Sequence, residues 1–141
     1  MKPTLAEGLS FARKIVVDET RCITFLGHEA MVYATPSMVN DVEYTCYDAL
    51  VPHLDAGESS VGSRVEIDHL GPTPQGMEVE IRLRLTKVDK RRMHFEFTVR
   101  DAEEEVGRGT HIRFVVDSAR TRERIAAKRA RAGLGAGLAA G

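Results

Sequence analysis

Three side chains in this sequence have types and spacing suited to acid–base or nucleophilic chemistry. Thr35 and Glu43 fall within YATPSMVNDVEYTCYDAL, residues 33–50, and His69 follows in SSVGSRVEIDHLGP. A glutamate on the flank of an apolar stripe is one of two things. It is an ordinary boundary residue with a salt-bridge partner, or a carboxylate in a partly desolvated cleft, where burial raises its proton affinity toward that of a general base. A threonine before a proline is either a plain N-cap or a hydroxyl at the positive end of a helix dipole. In the second case free backbone N–H groups would meet an anionic tetrahedral intermediate. His69 continues the Val65–Ile67 face of its segment and points inward, as a hydrogen-bonded core histidine or as a proton carrier. Type and spacing allow both readings at all three positions.

The elements that must hold these residues are legible from periodicity. Thr35 as N-cap and Pro36 at the first helical position open a predicted helix. Met38, Val39, Val42, Cys46, Ala49 and Leu50 recur in it with helical period, and Pro52 with HLDAGES ends it. Thr35 and Glu43 are then about 12 Å apart along the axis, too far to share one substrate carbonyl within a subunit. If both act, the site is assembled across a dimer interface.

Alternating segments come next. VGSRVEIDH puts Val61, Ser63, Val65, Ile67 and His69 on one face; MEVEIRLRLTKV does so with Met77, Val79, Ile81, Leu83 and Leu85; MHFEFTV with Met93, Phe95, Phe97 and Val99. VGRGTHIRFVV closes the series, its two glycines signalling a bulge or a close backbone approach. Short turns, VDKRRM and RDAEEEV, make these an antiparallel meander, and KIVV and TRCITFL are further strand candidates. The result is a two-layer α+β domain, a sheet of about five to six strands wrapped on one long helix. The domain is expected over 1–118. Residues 119–141 form a tail that starts as a basic helix-like run and decays into Gly/Ala low complexity, its last ten residues expected disordered.

Composition narrows the rest. With 141 residues, 43% hydrophobic and 29% charged, the chain suits one ordinary globular domain, and a net charge of −1 gives no global attraction to nucleic acid or an anionic membrane. No apolar run approaches the roughly 20 residues a bilayer requires. MKPTLAEGLSFARKIVV has no continuous apolar block, so no signal peptide is expected. Cys22 and Cys46 make neither a disulfide framework nor a metal cluster, and Cys46 falls on the apolar helix face as a buried thiol. A reducing, cytoplasmic setting follows. His28, His53 and His94 show no zinc-site spacing, and P-loop, G-x-G-x-x-G and G-x-S-x-G patterns are missing from the sequence. Lys87, Lys90, Arg91 and Arg92 read as a solvated hairpin rim. The alternative is that they, or the basic tail, meet a phosphate-bearing substrate.

Three segments carry a resemblance to a known family. YATPSMVNDVEYTC resembles the central helix of the fluoroacetyl-CoA thioesterase family of the hotdog-fold superfamily. SSVGSRVEIDHLGPTPQGMEV is similar to that family's next strand, and EEVGRGTHIRFVV to its closing strand with the G-x-G-T-H-x-R signature. Together they cover most of residues 30–117 in the family's order. The resemblance implies a hotdog fold and a catalytic set of Thr35, Glu43 and His69. It implies that Arg113 orders the hydrolytic water or the carboxylate and that Gly62 presents its backbone to the acyl group. It implies a homodimer, or a tetramer built from it, with acyl-CoA as substrate and no metal or other cofactor. FLGHEAMVYAT is short and offers only Phe25, where the family's fluoroacetyl-specific member has a longer, phenylalanine-bearing lid. The expected substrate is therefore a short- or medium-chain acyl-CoA. The hotdog hydratase pattern, an aspartate five residues before the catalytic histidine, is not met, because Arg64 stands there. The rival reading is a non-catalytic domain that binds acyl-CoA as a sensor or scaffold.

Overall fold

Strand β1 (Ser10–Val16) comes first, then helix α1 (Thr35–Leu50), strands β2 (Glu58–His69), β3 (Glu78–Asp89), β4 (Arg92–Arg100) and β5 (Glu105–Asp117), and helix α2 (Ser118–Arg131). This is a computed structural model describing residues 1–135. The five strands pair antiparallel in the order β1-β3-β4-β5-β2. The short turns make β3, β4 and β5 the expected meander, and β2 forms one edge of the sheet. The β3–β4 turn places Lys90 in the left-handed region, at φ 56°.

The sheet wraps α1 because both surfaces carry the predicted periods. Val79, Ile81, Leu83 and Leu85 of β3 and Met93, Phe95, Phe97 and Val99 of β4 are all buried. They pack with Met38, Val42, Cys46, Ala49 and Leu50 of α1 in one hydrophobic core. Each large aliphatic side chain removed from water there stabilises the fold by about 1.5–3 kcal/mol. Cys46 is fully buried, and desolvation pushes its thiol up to about 12, which leaves it an inert packing group. Both glycines of the G-R-G run face close neighbours. A side chain on Gly107 would strike the Met38 sulfur, and one on Gly109 the Glu66 carbonyl and the Phe97 ring. Close approach holds at both glycines, and the register with β4 also shifts between Val99 and Arg100, right beside Gly107.

Several expectations need correction. Thr35 does not cap α1; Ala34 is the N-cap, its carbonyl accepting from Met38 N at 3.0 Å, and Thr35 is the first helical residue. β2 does not alternate cleanly. Its register shifts between Gly62 and Arg64, so Gly62 pairs with the buried Arg113 and Val65 with the buried His111. Gly62, Val65, Ile67 and His69 therefore share the helix-facing side, while Val61 pairs with Phe114 on the opposite one. A bulge at Ser63 is the cause, since one extra residue reverses the alternation. TRCITFL is not a strand. Asp18 accepts from Arg21 N and closes a 3₁₀ turn over Glu19–Arg21, leaving only an isolated bridge between Cys22 and Tyr33.

The tail begins as an ordered helix. Asp117 caps α2 by accepting from Arg120 N at 2.9 Å. Gly133, at φ 73°, ends it in a turn where Gly133 N bonds the Ala130 carbonyl and Leu134 N the Arg129 carbonyl. Residues 132–135, expected disordered, belong to this capped turn, and 136–141 lie outside the described residues. Among the described residues no helix is long and apolar enough to cross a membrane.

Candidate active site

Because Ala34 takes the capping position, the Thr35 side chain is free at the first turn of α1. Its Oγ1 stands 2.7 Å from Nδ1 of His69, the last residue of β2. The His69 ring lies edge-on to Tyr33, centroids 6.4 Å apart at 74°. Its Nε2 is buried and has no hydrogen-bond partner among the described residues. Burial lowers the His69 pKa below the usual histidine value, with the Gly71 backbone opposing in part. The ring is thus held neutral near pH 7. With the ring proton on Nε2, the Thr35 hydroxyl donates to Nδ1, the arrangement in which histidine removes a hydroxyl proton.

The Tyr33 loop is anchored from beneath. Buried Tyr33 donates to Asp41 at 2.5 Å, Arg21 Nε donates to the same Asp41 oxygen at 3.0 Å, and Thr45 Oγ1 donates to the Asp41 carbonyl at 2.6 Å. Burial first, and then the Asp41 contact, raise the Tyr33 hydroxyl above its ordinary value, so it remains a donor. Sequence reading missed this network. Its only signal was an aspartate at 41 among Met38, Val42 and Thr45, polar on a stripe that should be apolar.

Glu43 occupies a different place. Its Oε1 lies 3.4 Å from Nη1 of Arg113, and a Cβ built on Gly62 would come within 2.7 Å of the same oxygen. Glycine at 62 leaves room for the carboxylate where it stands; a side chain there would push the flexible Glu43 tip aside. Arg113 is only 4% exposed and is satisfied from all sides. Its Nε donates to Ser60 Oγ and its Nη2 to the Ser60 carbonyl, both at 2.8 Å, while its carbon stands 5.6 Å from the Tyr47 ring centroid.

His111 completes this group and was also missed, although it stands in the G-T-H-x-R segment one strand period from Arg113. Its Nδ1 lies 2.8 Å from the Arg64 carbonyl, which can only accept, so Nδ1 carries the proton. Nε2 is then free to accept from Arg113 Nη1 at 3.2 Å. Burial first, with the Arg113 charge adding to it, lowers the His111 pKa. Val39, Glu43, Gly62, Val65 and His111 line a shallow cleft of about 240 Å³.

The structure therefore joins Thr35 to His69 and Glu43 to Gly62 and Arg113, and keeps the two groups apart by about two turns of α1. The Glu43 side chain is 46% exposed, so this chain does not supply the desolvation expected of a buried base. No cluster of three or more histidine, cysteine, aspartate or glutamate side chains able to hold a metal occurs among the described residues. Phe25 stands 80% exposed in the loop before Thr35.

An antiparallel sheet wrapped on a long helix places this chain among the hotdog-fold proteins. A hot-dog-like protein from Thermanaerovibrio acidaminovorans superposes with a TM-score of 0.81 at 20% identity, over 90% of this chain and 93% of the other. A thioesterase superfamily member from Thermus thermophilus superposes with a TM-score of 0.86 at 26% identity, over 94% and 98%. Residues 17–119 match the family described as fluoroacetyl-CoA-specific thioesterase. The fluoroacetyl-CoA thioesterase of Streptantibioticus cattleyicolor is 32% identical over 123 residues, 82% of this chain and 88% of that protein. A solved structure of a fluoroacetyl-CoA thioesterase superposes with a TM-score of 0.81 at 29% identity, over 88% and 97%. The chain belongs to the fluoroacetyl-CoA-specific thioesterase family.

Proposed function

We propose that this protein hydrolyses a short- or medium-chain acyl-CoA to the free acid and CoA, as a homodimer with its two sites at the subunit interface. The observation that carries the reading is the Thr35 hydroxyl at 2.7 Å from His69 at the N-terminus of α1. Unpaired amides of that first turn suit the oxygen of a polarised thioester carbonyl and the oxyanion that follows. Two routes use this geometry. In one, His69 takes the Thr35 proton and the hydroxyl attacks the carbonyl carbon, expelling the CoA thiolate before water releases the acid. In the other, a Glu43 carboxylate takes a proton from water, which attacks directly. With a thiol pKa near 8.5, the leaving thiolate needs little protonation, so proton transfer matters most on the attacking side. The chemistry requires no metal or redox cofactor, and a reducing cytoplasm suits a chain with two free cysteines.

Position of β2 supports the dimer. The strand lies at the sheet edge, and Val65 on its helix-facing side is 40% exposed. Antiparallel pairing of β2 with a second copy of itself, centred near Val65, would reverse the strand. The His69 end of one protomer would then lie against the Gly62 end of the other. Thr35 and His69 from one chain would meet Glu43 and Arg113 from its partner, and the carboxylate would lose its exposure.

The test is thiol release from acetyl-, butyryl-, hexanoyl- and phenylacetyl-CoA. Turnover of at least one is expected, and it should collapse in His69→Ala. If none of them is cleaved while CoA binding is retained, the protein is a binding domain and the hydrolytic reading is wrong.

A further inference from the structure

Helix α2 extends past the family match, which ends at residue 119, and its charge is one-sided. It holds Arg120, Arg122, Arg124, Lys128, Arg129 and Arg131 against the single acid Glu123. Arg124, Lys128 and Arg131, at i, i+4 and i+7, form one stripe. None of these three has an ion-pair partner among the described residues, although the rest of the chain is rich in carboxylates. The stripe borders a groove of about 620 Å³ between α2 and the outer face of the β2–β5 edge. Three large apolar side chains lie open in that groove: Val61 at 44%, Phe114 at 38% and Ile125 at 56% exposed. An apolar floor beside a row of cations, in a volume typical of small-molecule sites, matches a purine carrying phosphates. The floor lies on the outer face of the same sheet edge whose inner face carries the candidate site. The pair Val61–Phe114 is the next rung of the ladder after Gly62–Arg113.

We propose that this groove binds the 3′-phosphoadenosine diphosphate portion of CoA. The base would lie on Phe114, Val61 and Ile125, and the phosphates on Arg124, Lys128 and Arg131. This inference rests on the acyl-CoA reading above and adds where the nucleotide is held. A chain of net charge −1 offers a polyanionic ligand no general attraction, so local cations must supply it. A nucleic acid is disfavoured for the same reason, and because the stripe borders a walled groove with an apolar floor.

The test compares the wild type with the triple variant Arg124→Ala/Lys128→Ala/Arg131→Ala, whose changes are all at exposed positions. Calorimetric titration with CoA should show Kd raised about tenfold or more in the variant, and the wild-type preference for CoA over dephospho-CoA should shrink. KM for an acyl-CoA should rise in parallel, with kinetics on the acyl N-acetylcysteamine thioester unchanged. Equal CoA affinity in the two proteins, or no CoA binding by the wild type, overturns the inference. So does tighter binding of a short DNA duplex than of CoA through the same residues. The failures are distinguishable. If neither thioester releases thiol, hydrolysis is wrong whatever the titrations give. If acyl-CoA is cleaved with the same KM by both proteins, only the nucleotide site is wrong.

Discussion

At the first turn of α1, Thr35 and His69 hold one another through a single 2.7 Å contact, and the second ring nitrogen has no partner among the described residues. About two turns further on, Arg113 is fixed by Ser60, His111 and Tyr47, and Glu43 leans on it through one long contact of 3.4 Å. One end resembles an acid–base pair awaiting a substrate; the other is a rigid cationic floor carrying a half-exposed carboxylate. The difference shows what each lacks. The Thr35 end has a hydroxyl beside a proton acceptor and helix amides, whereas the Glu43 end has fixed charge and a shallow recess, its serine hydroxyls engaged with Arg113 and the Ile112 carbonyl. Each supplies what the other is missing, and the proposed dimer would bring them within reach.

The largest effect should come from separating the two ends by mutation. Thr35→Ala and Glu43→Gln should each reduce kcat/KM about 10²–10⁴-fold in thiol-release assays, the usual contribution of a positioned acid–base group. Co-expressed in equal amounts as differently tagged chains, the two variants should regain about a quarter of wild-type activity, because half the dimers carry one intact composite site. Recovery of nothing would mean that each site is built within one chain, and the complementarity of the ends would be lost. Next in size is Gly62→Ala. The new methyl would crowd the Glu43 carboxylate and shift it by an ångström or so, a displacement that costs about 10²-fold in kcat/KM with the melting temperature little changed. An unaltered rate would show that the position of Glu43 is not critical. Arg113→Lys follows. Lysine cannot bond Ser60 twice and His111 once from a planar fork, so about tenfold in kcat/KM should be lost. A rise in KM alone would mark Arg113 as a binding group only.

Much of this architecture was legible in the sequence, and the parts that were not share a cause. Helix 35–50 and strands β3 and β4 announce themselves because Val79 to Leu85 and Met93 to Val99 alternate without a break, while the shifts at Leu85/Lys87 and Val99/Arg100 fall outside those runs. β2 misleads because SSVGSRVEI reads as a single alternation, while a bulge at Ser63 reverses it, and Gly62 was the one residue hinting at irregularity. Thr35 was placed correctly at the helix start, but its sequence left two readings open, a cap or a hydroxyl facing the site. Threonine before proline looks like a cap, and only the tertiary position of His69 shows where the hydroxyl goes. Asp41 and His111 escaped notice because a polar group on an apolar face is interpretable only once its partners, Tyr33 and Arg113, are known.

The smallest expected effect concerns acidity, and it separates the two ends by observable. Burial lowers the pKa of both His69 and His111 in the folded protein. Each therefore binds fewer protons when folded than when unfolded over the window from its lowered pKa up to about 6.5. Stability must fall as pH drops through that window and stay flat, as far as these groups are concerned, above it. Urea unfolding between pH 7.5 and 5 should show this decline, and His111→Gln should flatten it, since glutamine cannot place an imidazolium against the Arg113 guanidinium. The activity profile should behave differently. Where His69 takes the Thr35 proton, only the neutral ring accepts it, so the acidic limb should lie below pH 6.5 and persist in His111→Gln. If His111→Gln moves the acidic limb of kcat/KM by as much as it moves the stability curve, the two ends titrate as one unit, and their division into a proton-transfer end and a fixed-charge end is wrong.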